Sequence, residues 1–113
     1  MKIKSIKPYE ECIGDEFMKL VEFDSEITKS FIHFLSEFGE MEYFSSFTRP
    51  LFTLTSDTCF TLKGVQGLTN ARLILNPDLI EESLNKFTGI IDQFQPGIEY
   101  QLCTQIIISD NTV

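Results

Sequence analysis

The sequence predicts an α+β fold: a two-layer sandwich whose mostly antiparallel sheet carries two helices on one face, ferredoxin-like with an inserted hairpin. Three observations carry that prediction. Two segments, residues 25–38 and 77–94, repeat apolar side chains at helical spacing. Strand-like stretches flank each of them, so the order β-α-β occurs twice, and each crossover is expected to be right-handed. Between the two passages, residues 51–63 read as a hairpin with one apolar and one polar face.

The elements follow in order. Lys2 to Lys7 suits a short edge strand, and residues 8–16 read as irregular. In the first main strand, residues 17–23, Phe17, Val21 and Phe23 share a parity that Lys19 interrupts. Asp24 or Ser25 can cap the first helix, with Glu26 in the first turn where the helix dipole favours an acid. Ile27, Phe31, Phe34, Leu35 and Phe38 fall on one stripe of it, and Gly39 supplies the stop. A strand at 42–47 follows, and Pro50 after Arg49 marks a break before Leu51. A loop centred on Asp57 sets Phe52 opposite Leu62 and Leu54 opposite Phe60, with Thr53, Thr55, Cys59, Thr61 and Lys63 on the other side. Gly64 and Gly67 bracket a turn into a strand at 71–75.

The second helix opens with Asn76 as its cap and Pro77 where a missing N–H costs nothing. Ile80, Leu84, Phe87, Ile91 and Phe94 form its buried stripe, widened by Leu79 and Ile90, with Gly89 on the outer side. Pro96 and Gly97 end it, and Ile98 to Ser109 reads as a last strand. Residues 1–113 form one domain, with 110–113 frayed.

Composition narrows the function. Eleven of the 113 residues are Phe, none is Trp, and the apolar fraction of 42% is ordinary, so the excess is one of kind. The net charge of −8 is spread evenly: residues 1–56 hold 10 acids and 6 bases. With no basic stripe, nucleic-acid and anionic-membrane binding are disfavoured. Apolar runs reach three residues, far below the roughly 20 that cross a bilayer. Basic residues without an apolar stretch at the start predict no secretory signal. Cys12, Cys59 and Cys103 form no CxxC pair, so reduced thiols and a cytoplasmic location are expected.

The chemistry-bearing residues are sparse. No ligand spacing for a metal occurs, and neither a metal nor a cofactor is expected. His33, the one histidine, lies about 145° from the centre of its helix stripe and is expected in solvent, which leaves no His-based triad. Paired acids such as Glu10–Glu11 and Asp15–Glu16 have nothing that holds them together, so no catalytic residue is assigned and enzyme activity stays open. Cys59 is the thiol to watch for reactivity, with Lys63 on the same strand face. Arg49 and Arg72, the only arginines, are the candidates for holding a ligand or an anion.

The strongest functional signal is aromatic overflow. Tyr43, Phe44 and Phe47 have mixed parity in one strand, Ile32 lies off its helix stripe, and Ile107 opposes Leu102 and Ile106. These five are the interface candidates. The reading is a small acidic cytoplasmic accessory or regulatory domain that acts through protein–protein association, as a homodimer or with a protein partner. The alternative is a small-molecule-binding protein or metal-independent enzyme with an Asp/Glu/Arg-lined pocket.

Overall fold

In the computed structural model of the chain, the alternating segments pair into a seven-stranded sheet. The structure describes residues 1–8, 17–44, 48–56, 59–95, 97, 98 and 100, together with the backbone of 105–108. The strands are β1 (Ile3–Pro8), β2 (Met18–Phe23), β3 (Glu40–Phe44), β4 (Leu51–Ser56), β5 (Phe60–Val65), β6 (Asn70–Leu75) and β7 (Gln105–Ile108). Helix α1 (Lys29–Leu35) continues into a single 3-10 turn at Ser36–Phe38, and α2 spans Ile80–Gln93. The sheet order is β1-β2-β6-β5-β4-β3-β7. Six strands pair antiparallel, and β7 adds parallel to β3.

The α+β class therefore stands, while the finer arrangement differs. A ferredoxin-like sheet would set the strand after α2 beside β2, whereas β7 lies beyond β3 at the far edge. Antiparallel steps from β2 through β6, β5 and β4 make β2 and β3 parallel, so α1 links two parallel strands three strands apart. By the same steps β6 and β7 run in opposite directions, so the second passage is no parallel crossover. The predicted hairpin is real but not an insertion: β4 and β5 are the middle of a continuous β3–β6 meander.

One face of the sheet is the core face. Val21, Phe23, Met41, Tyr43, Phe52, Leu54, Phe60, Leu62, Ala71, Leu73 and Leu75 are buried there, each following the two-residue period of its strand. Both helices pack on it, in one cluster with these residues. Phe31 joins the layers: its ring meets Phe23 of β2 at 5.6 Å and Phe94, just past α2, at 5.1 Å, both edge-on. Phe60 meets Phe87 of α2 in the same way at 5.5 Å.

Local differences have local causes. The cap of α1 is Thr28, whose Oγ1 accepts from the Phe31 N–H at 3.1 Å. Residues 24–27 cannot join the helix because other segments hold them. Asp24 accepts from the Lys2 N–H, and Ile27 exchanges backbone bonds with Leu68 and Gly67. Asn76 likewise is not the cap of α2. Its N–H donates to the Cys59 carbonyl, its side chain accepts from the Asp78 N–H at 2.9 Å, and the helix begins three residues later after Leu79. Its own stripe is as expected, with Phe87, Ile90 and Ile91 buried.

The hairpin register is shifted by two residues from the expected one. Phe52 pairs with Gly64, Leu54 with Leu62, and Ser56 with Phe60. An even shift keeps each paired side chain on its face, so the apolar and polar sides of the paired residues follow from the period alone. Gly64 therefore lies inside β5, and only Gly67, with φ +96°, serves the turn into β6. Of the expected last strand, Ile98 and Tyr100 lie outside any strand and Gln105–Ile108 forms β7. Residues 9–16, 45–47 and 109–113 lie outside the described residues.

Candidate functional site

Among the described residues, no helix or strand packs on the sheet face opposite the helices. The side chains excluded from the core by alternation stand on it: Glu40, Glu42 and Phe44 of β3, Leu51, Thr53 and Thr55 of β4, Thr61, Lys63 and Val65 of β5, and Arg72 and Ile74 of β6. Met18 and Leu20 of β2 continue it. Phe44, Leu51, Val65, Leu20 and Ile74 are half-buried.

Register aligns these residues in rows across the strands. Glu42 pairs with Thr53, Thr53 with Lys63, and Lys63 with Arg72. The neighbouring row runs Phe44, Leu51, Val65. Two cations thus stand at opposed positions beside an apolar row. Phe44, Leu51, Thr53, Lys63, Val65 and Arg72, with the Phe52 and Gly64 positions, line a shallow cleft of about 260 Å³.

A larger cavity, about 440 Å³, opens where α1 begins, between Met1, Ser25, Glu26, Thr28, Ser30, Phe94 and Gly97. Three of its polar side chains are engaged in local hydrogen bonds. The Ser30 hydroxyl donates to the Ile98 carbonyl, Ser25 to Asp24, and Thr28 caps α1. The sheet face opposite the helices is the better candidate, because it sets Lys63 and Arg72 beside an apolar row at one cleft.

The residues singled out from the sequence separate on this map. Arg72 lies in the cleft, half-buried, whereas Arg49 is exposed in the bend before β4 and is not part of the lining. Phe44 stands on the sheet face opposite the helices. Tyr43 does not. It is 6% exposed on the core face, its hydroxyl donates to the Gln66 side chain at 3.2 Å, and burial holds its ionisation above the ordinary tyrosine range. Phe47 lies outside the described residues, and Ile107 is a register partner of Tyr43 on β7.

Ile32 is fully buried rather than surface-exposed. The stripe argument assumed a helix covered on one side. Here Ile32 shares the core side of α1 with Phe31 and Leu35, while Ile98 and Tyr100 lie along the flank that carries Ser30 and His33. That flanking contact corrects His33, which is half-buried, with Nδ1 2.9 Å from the Tyr100 carbonyl oxygen and Nε2 enclosed without a partner.

Cys59 is a free, half-buried thiol in the turn before β5 and packs against the core rather than standing on the polar face. Its backbone is tied on both sides, N–H to the Ser56 carbonyl and C=O to the Asn76 N–H. Lys63, known from the sequence only as a polar-face residue, lines the same cleft as Arg72 and was not singled out with it. Its signal was available: alternation puts it on the face of Arg72, and only the β5–β6 register makes them neighbours.

Among the described residues no three His, Cys, Asp or Glu side chains gather as a metal ion requires, and no helix is long and apolar enough to cross a membrane. Comparison with family models, with curated proteins and with solved structures returns no match.

Proposed function

We propose that the protein acts through protein–protein association, as a small accessory or regulatory domain that forms a homodimer by way of the sheet face opposite the helices. One observation carries the reading: both helices pack on the same face, and among the described residues no helix or strand lies over Leu51 and Val65 on the other. Covering that row removes apolar area from water at roughly 25 cal/mol per Å². Aromatic residues and arginine, here Phe44 and Arg72, are enriched at such contacts. A reducing, cytoplasmic setting accords with the free Cys59 thiol.

Light scattering at micromolar concentration tests the reading. The expected mass is twice the 13.0 kDa of the chain. Leu51→Asp, at the centre of the row, is expected to give a folded monomer with an unchanged circular dichroism spectrum. A native chain that runs as a monomer at those concentrations overturns the proposal.

The opposed pair Lys63 and Arg72 favours a second reading, in which the cleft holds a small carboxylate or other anion. Arg72→Ala would then abolish binding that Arg49→Ala leaves intact, since only Arg72 lines the cleft.

A further inference from the structure

We infer that the second copy seats itself about a two-fold axis running along β4, so that Glu42 of each protomer stacks over the partner's Lys63. The inference rests on the homodimer reading above and names how the copies recognise each other.

Glu42, Thr53 and Lys63 lie at one height on adjacent strands. Each step across the sheet is about 4.8 Å, so the acid and the base stand about 9.6 Å apart with Thr53 midway. A two-fold axis along β4 turns a second sheet over, preserves the height of every row and exchanges β3 with β5. Glu42 then faces the partner's Lys63, and the reverse pair forms by symmetry. In the next row Phe44 faces the partner's Val65, while Leu51 meets its own copy. Arg72, beside Lys63 in the row, brings a second cation toward the same carboxylate. Sheets that pack face to face lie about 10 Å apart, a gap that Glu and Lys side chains span together.

The charges also select this axis against the alternative. A two-fold axis running across the strands at the same row leaves each strand over its own copy. It would set Glu42 on Glu42 and Lys63 on Lys63, so both symmetry contacts would repel. Glu42 and Lys63 are exposed and belong to no core cluster, so substitution there tests recognition rather than folding.

Glu42→Lys and Lys63→Glu are each expected to weaken self-association at least tenfold in sedimentation equilibrium, because every symmetry pair becomes a like pair. An equimolar mixture of the two variants is expected to form a heterodimer within about threefold of the native affinity, and the double variant a homodimer of similar strength. Unchanged far-ultraviolet circular dichroism spectra confirm that each variant is folded. A native dimer with single variants that still dimerise, or a mixture that fails to associate, overturns this axis and leaves the homodimer standing. A native monomer overturns both.

Discussion

Phe52 explains why position 64 is glycine. A side-chain carbon added at Gly64 would come within 2.7 Å of the Phe52 ring and 3.3 Å of Ile27, on the core face of two paired residues. Backbone freedom has no part in this; the ring uses the space that a side chain would fill. Gly39 has the same kind of reason, since its added carbon would collide with the Thr55 carbonyl, which is backbone and cannot swing aside. Gly89 is the opposite case, on the exposed side of α2 with nothing within 4 Å. Gly64→Ala is therefore expected to destabilise by about 1–3 kcal/mol through overpacking. Gly89→Ala is expected to stabilise by about 0.5–1 kcal/mol through helix propensity. Urea midpoints of the two variants should move in opposite directions. The outward position of Gly89 was legible in the helical period, whereas the role of Gly64 was not, because it depends on which residue sits across the ladder.

At the scale of the element, the edge strand β1 is held by one residue outside it. The Asp24 carboxylate accepts from the Lys2 N–H at 2.9 Å, and the Asp24 N–H donates to the Lys2 carbonyl at 3.0 Å. The bond from Lys2, with a smaller one from Ser25, holds the Asp24 carboxyl below its ordinary value of 3.8. A carboxylate with a lowered folded value stabilises above the ordinary value and loses that contribution as pH falls through the folded one. The urea midpoint of Asp24→Ala should thus lie below that of the native chain at pH 6, and the gap should close by about pH 2. Lys2, Lys4 and Pro8 along this edge also discourage a further strand from adding there. Sequence period located α1 and α2, but their starts were displaced by exchanges of this kind. Asp24 serves β1 and Ile27 serves the β5–β6 turn, so Thr28 is the first residue free to cap.

Across the whole molecule, the Phe excess is chiefly a device for joining two layers. Phe23, Phe31, Phe34 and Phe94 form a chain of ring contacts from β2 through α1 to the end of α2, which Phe38 and Tyr100 extend. Phe31→Ala opens that chain at its centre and is expected to cost about 3–5 kcal/mol, a large part of the stability of a small domain. Because both helices depend on this ring, far-ultraviolet circular dichroism and near-ultraviolet tyrosine signals should still be lost together, at a lower urea concentration. The sequence alone determined the α+β class, the two helix stripes and the faces of the paired hairpin residues, because these follow from periods of 3.6 and 2 that a residue carries wherever its element lies. The sheet order, the coupling of Lys63 with Arg72 and the burial of Ile32, His33 and Tyr43 were decided only by the tertiary structure. Each depends on which distant segment arrives alongside, and local period holds no record of that neighbour.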